Sequence, residues 1–163
     1  MKLKLQTAYL LIPQPDGAEY ETAYKFITDE PVVYDAYFVD AAEFFPENTF
    51  AHHAVMFTLE PEDGNLPSPR EDPRIGPTVA AVFAEKFAKN RNSVVCYICA
   101  SEDEKEVLRA RKFDIMFESQ NIKKDFVKIK IKEKSIYGAI IYYKDNPAGP
   151  EIAASAKQML SPF

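Results

Sequence analysis

Seven consecutive residues, Val94 through Ala100, are apolar, and the patterns on both sides of them are helical. A strand of that kind has no face to give to water, so it belongs in the middle of a sheet with cover on both sides. A strand reached through a helix normally lies parallel to a neighbour by a right-handed crossover. The helix before it is marked by Val79, Val82, Phe83 and Phe87, an apolar stripe at i, i+3, i+4 and i+8. Pro77 suits its first position, where a missing N–H costs nothing, and Lys86, Lys89 and Arg91 complement the negative end of the dipole. The helix after it opens with Ser101 and Glu104 as a capping box, Glu102 and Asp103 adding charge to the first turn, and buries Val107, Leu108, Ala110 and Phe113.

The rest of the chain reads mainly as strands. Glu19 to Thr28 places Tyr20, Thr22, Tyr24 and Phe26 on alternate positions, Asp29, Glu30 and Pro31 break it, and Val32 to Val39 resumes the alternation, which predicts an antiparallel hairpin. Ala41 to Phe45 predicts a helical turn stopped by Pro46, and a third strand runs from about His53 to Glu60. Phe126 to Lys132 and Ile136 to Lys144 form a closing pair, with Val127, Ile129 and Ile131 inward and Lys128, Lys130 and Lys132 outward. A last helix carries Ile152, Ala156, Met159 and Leu160, and an extra strand is possible at the start. The fold class that follows is α/β (α+β): a mixed, mostly antiparallel sheet flanked by helices. One domain spans 1–163, with a core from about 20 to 160 and a long loop over 61–77 that holds five prolines and two glycines.

Charge narrows the function classes. The net charge is −5, against a general affinity for phosphate backbones or anionic membranes, but residues 1–85 sum to −10 and residues 86–163 to +5. The halves attract each other on folding, or the basic half meets a partner. Lys123, Lys124, Lys128, Lys130, Lys132 and Lys134 form the one basic stripe, read as a solvated strand face that guards a sheet edge, with nucleic-acid contact as the less favoured reading. The short apolar run Ala8 to Ile12 lacks the features of a signal peptide, so a cytoplasmic protein is expected. Cys96 and Cys99 have CxxC spacing but lie inside a strand pattern, where positions three apart face opposite ways, so buried inert thiols are expected. His52 and His53 would likewise point apart on an extended chain, which argues against a metal site, and no Ser, Asp or Cys near them suggests a triad. Arg74 with Gly76 and Thr78 at a helix N-terminus is the best anion candidate, unless Arg74 pairs with Asp72 or another acidic loop residue. Arg109, Arg111 and Lys112 either line a cleft beside that loop or complement the end of their helix.

From Tyr24 to Tyr143 the order of elements resembles the core of the GCN5-related N-acetyltransferase (GNAT) superfamily. There, a loop reading Q or R, xx, G, x, G or A opens the first helix of this core and holds the pyrophosphate of acetyl-coenzyme A. The matching stretch is Pro73, Arg74, Ile75, Gly76, Pro77, Thr78. Gly76 fits, Pro73 and Thr78 depart from the pattern, and Pro77 removes a donor. The resemblance makes Arg74, Ile75, Gly76, Thr78 and Arg109 the candidate anion or coenzyme site. Where that family carries a thiolate-protonating Tyr, this chain has Leu108, which cannot act as a general acid. The family's pair of helices between its first two strands is also missing.

The chain further resembles a bacterial family of unknown function, from about Tyr24 to Leu160. The residues that carry this are Tyr24, Lys25 and Phe26; Asp72, Pro73 and Arg74; Arg109 to Phe113; and Asn146 and Pro147. The expectation is a small cytoplasmic non-catalytic binding or interaction module on a GNAT-like fold, with a protein or small-molecule partner, no membrane contact and no cofactor. The alternative is an N-acyltransferase that uses acetyl-coenzyme A through a divergent loop and an unassigned base.

Overall fold

A computed structural model describes residues 8–17, 20–62, 72–99, 117–118, 124–133 and 136–159. Seven strands run in the order β1-β2-β3-β4-β5-β7-β6: β1 (Ile12–Gln14), β2 (Glu21–Ile27), β3 (Val33–Asp40), β4 (Ala54–Pro61), β5 (Val94–Cys99), β6 (Phe126–Glu133) and β7 (Ile136–Tyr143). Every neighbouring pair is antiparallel except β4 and β5, which are parallel and linked through helix α1 (Ile75–Lys89). The apolar run therefore sits inside the sheet, with β4 on one side and β7 on the other. The second helix, expected over Ser101 to Phe113, lies outside the described residues, as do residues 63–71 of the long loop.

Alternation within the strands divides the core between the two sheet faces. Tyr24, Phe26, Ala36, Phe38, Val55 and Val95 turn to the face covered by α1, where Val79, Val82, Phe83 and Phe87 meet them. Ala54, Val94, Cys96, Ile140 and Tyr142 turn to the other face, which receives Ile152 and Ala156 of helix α2 (Gly149–Met159). Val127, Ile129 and Ile131 of β6 pack on this second cluster, as their spacing predicts. Phe26 and Phe38 are fully buried, each contributing roughly 2–3 kcal/mol of apolar transfer energy. Gly138 is set by close approach: a Cβ there would lie 2.6 Å from the Tyr97 carbonyl oxygen on β5.

Local chemistry moves several boundaries. The alternation in β2 is broken by a register shift between Glu21 and Tyr24, with Thr22 at φ 48°, so Thr22, Ala23 and Tyr24 are all buried. The helical turn before Pro46 is a 3₁₀ turn, Ala42–Phe44. A second one, Ala51–His53, takes His53 out of β4 and abolishes the extended geometry assumed for the two histidines. Helix α1 starts at Ile75, so Pro77 is its third residue. Asp72 accounts for the earlier start: its carboxylate accepts the Arg74 N–H at 2.9 Å and its carbonyl the Ile75 N–H at 3.2 Å. Cys96 is buried and its thiol pushed up to about 12 by desolvation, while the side chain of Cys99 is outside the description.

Candidate functional site

The two ends of the β4–β5 pair are the places where the topology brings loops and helix termini together. Register pairs join Ala54 to Val94, Val55 to Val95 and Met56 to Cys96; beyond these, β4 continues against β3 and β5 against β7. The parallel strands thus part at their C-terminal ends, near the start of α1. Ligands of open α/β sheets collect at such switch points.

Here the place is filled from within. Phe57, the first residue of β4 past the pairing, meets Phe83 of α1 edge-on at 4.8 Å and Phe38 at 5.4 Å. Above them, residues 8–11 cross the N-terminus of α1. The Tyr9 N–H donates to Thr78 Oγ1 at 2.8 Å, and that hydroxyl donates to the Arg74 carbonyl at 2.7 Å. The Tyr9 hydroxyl donates to Asp72 Oδ2 at 2.5 Å and accepts the Asp29 N–H at 3.1 Å. Burial, then the Asp72 carboxylate, raises the Tyr9 phenol above its ordinary range. The Arg74 guanidinium lies 3.9 Å over the Tyr9 ring, pairs with Asp29 at 3.1 Å and donates to the Ala8 carbonyl at 3.4 Å.

Of the candidate residues, Arg74, Ile75, Gly76 and Thr78 do gather at one helix N-terminus. Thr78 is fully buried, the Ile75 N–H is bonded to Asp72, and only the Gly76 N–H has no partner among the described residues. Arg109 lies outside those residues. Asp29, which holds Arg74, comes from the turn between β2 and β3; its part was not legible because nothing in the sequence links positions 29 and 74.

At the opposite end of the parallel pair lies a cavity of about 370 Å³. Its walls come from the turn before β4 (Thr49, Phe50, His52, His53), Asn92 before β5, and the loop from β7 into α2 (Asn146, Pro147, Ala148, Pro150, Glu151). The 3₁₀ turn brings both imidazoles to this cavity, their centroids 3.9 Å apart. His53 Nδ1 lies 2.9 Å from Asn90 Nδ2, and burial, then His52 and Lys86, lowers its pKa. Glu151 accepts the Thr49 N–H at 2.8 Å and the Thr49 hydroxyl at 2.5 Å, which holds its carboxyl below the usual range. No group of three or more His, Cys, Asp or Glu among the described residues could hold a metal ion.

The remaining sequence signals resolve into structural roles. Tyr24 and Phe26 are core, and Lys25 on the other face of β2 pairs with Asp35 and Glu62, each at 2.9 Å. Asn146 accepts the Ala148 N–H at 2.9 Å and donates to the Asn92 carbonyl at 3.3 Å, closing the turn into α2. On β6, Lys130 and Lys132 are exposed, but Lys128 is half-buried with its ammonium 5.3 Å over the Phe117 ring, and desolvation pulls its pKa down to about 8. Lys128 is thus not an outward-facing member of the stripe. No helix among the described residues is long and apolar enough to cross a membrane.

A profile described as a family of unknown function, DUF6169, matches residues 71–157, more than half of the chain. The match takes in Asp72 to Arg74, Arg109 to Phe113, and Asn146 and Pro147, and leaves out Tyr24 to Phe26. No curated protein and no solved structure matches.

Proposed function

The chain belongs to this family of unknown function, and we propose that it acts as a small non-catalytic binding module built on a GNAT-like core. The strand order and the single parallel pair that parts at its C-terminal end support the GNAT-like reading of the layout. One observation carries the non-catalytic reading: of the groups a coenzyme pyrophosphate would need at the start of α1, all but the Gly76 N–H are already engaged within the chain. Thr78 is bonded to Tyr9, the Ile75 N–H to Asp72 and Arg74 to Asp29, while Pro77 offers no donor. An anion there would have to displace a half-buried guanidinium from a carboxylate and an aromatic face, losing contacts it must then replace. In the sequence, Leu108 falls at the position where the resemblance to the acetyltransferases would put their general acid.

The parting of β4 and β5 favours the alternative, an N-acyltransferase using acetyl-coenzyme A through a divergent loop. Calorimetry with acetyl-coenzyme A separates the two. The module predicts no saturable heat; micromolar binding that disappears in Arg74→Ala would overturn it in favour of the acyltransferase.

A further inference from the structure

The cavity at the other end of the β4–β5 pair differs in its unpaired hydrogen-bonding groups. Its Glu151 carboxylate and Asn146 amide oxygen are occupied. Both Glu151 carboxylate oxygens receive donors from Thr49, and Asn146 Oδ1 receives the Ala148 N–H. The donors are not. Asn90 Oδ1 accepts the Asn92 N–H at 3.0 Å, which orients the Asn90 amide so that its Nδ2 donates to His53 Nδ1. The neutral His53 ring therefore carries its proton on Nε2. The Glu151 N–H, in the first turn of the 11-residue helix α2, has no hydrogen-bond partner among the described residues, and the side chains of His52 and Asn92 have none there either. Phe50, Pro147, Ala148 and Pro150 supply apolar wall.

We propose that this cavity binds a small organic carboxylate, its charged end received by His52, His53 and Asn92 and its apolar body by Phe50, Pro147 and Pro150. A surplus of donors over free acceptors selects an anion, and the positive end of α2 adds to that selection. Neutral or singly charged donors beside the Glu151 carboxylate favour a monoanion over a phosphate dianion, which would call for arginine or lysine. The volume, at the small end of ligand pockets, suits a compact molecule such as an aromatic acid. This site is separate from the N-terminus of α1 and stands whether or not that region binds a coenzyme.

Burial, then His52 beside it and Lys86 from α1, which is itself paired with Glu21, sets the proton affinity of His53; Asn90 meets its Nδ1, and Glu151 lines the same cavity. A bound carboxylate adds a negative charge to this set, so binding should take up protons and tighten as pH falls from 7.5 to 6. Benzoate is the probe, with inorganic phosphate as the comparison, followed by histidine and amide NMR on the full chain. Saturable benzoate shifts confined to His52, His53, Asn92 and Glu151, with a higher His53 pKa in the complex, are expected. His53→Gln, which keeps a donor near the Nε2 position, should bind within a few-fold of the parent but lose the His53-linked pH dependence. Asn92→Asp should weaken binding about tenfold or more with the amide spectrum of the core unchanged. No saturable shift with benzoate, phosphate binding more tightly than benzoate, or equal affinity in Asn92→Asp would overturn the proposal.

Discussion

At one end of the β4–β5 pair the strands part, and the gap between them is filled with Phe57 and Phe83 and crossed by residues 8–11. At the other end the strands are paired, yet a cavity remains among the turns that lead into them and into α2. Polar groups differ in the same sense. Around the α1 N-terminus, Arg74, Asp72, Tyr9 and Thr78 satisfy one another; around the α2 N-terminus, the Glu151 and Asn146 acceptors are occupied and several donors are not. Fold topology alone points to the parting strands as the place for a ligand, but side chains decide whether that place is available.

The sharpest way to break this contrast is to empty the filled end. Phe83→Ala removes a buried ring that touches Phe38 and Phe57, and should cost about 3–4 kcal/mol in urea denaturation. A loss below about 1 kcal/mol would mean that the neighbouring rings collapse into the gap and that Phe83 is not what fills it. Next in size is Tyr9→Phe, which keeps the stacked ring over Phe26 but removes the hydroxyl between Asp72 and the Asp29 N–H. The expected cost is about 1–1.5 kcal/mol, because a carboxylate acceptor and a backbone donor lose their shared partner. An unchanged urea midpoint would show that residues 8–11 are held by packing alone.

What could be read from the sequence follows interaction range. Strand alternation in Phe126 to Lys132, the apolar run at Val94 and the stripe Val79, Val82, Phe83, Phe87 are local patterns, and each element appears where its period places it. Contacts across long stretches of sequence left no such mark. Tyr9 meets Thr78, Asp29 meets Arg74, and Thr49 meets Glu151 only because the sheet order brings their loops together. The histidine pair shows a different failure. Adjacent residues point apart in a strand, but Ala51 to His53 form a 3₁₀ turn, and one change of backbone conformation puts both rings on one cavity. Lys128 shows a third: strand parity gave the correct sheet face but not what covers it, and Phe117 lies against that face.

The smallest expected effect belongs to the open end and tests its hydrogen-bond direction. In the unfolded chain His53 takes up a proton near its ordinary pKa of about 6.5. In the folded chain burial, then the neighbouring His52 and Lys86, lowers that pKa. The bond to Asn90 works in the same direction: a proton on Nδ1 would face the Asn90 Nδ2 donor, and the amide cannot turn over without releasing the Asn92 N–H from Oδ1. Below about pH 6.5 the unfolded state therefore binds more protons than the folded one at this site. The stabilising contribution of His53 is complete above that pH and declines as the pH falls through the lower folded value. Urea midpoints measured from pH 7.5 down to pH 5 should fall more steeply for the parent than for His53→Asn, whose amide does not titrate. Parallel curves would mean that the His53 proton affinity is the same folded and unfolded, which would remove the fixed Nδ1 acceptor and the Nε2 donor assigned from it.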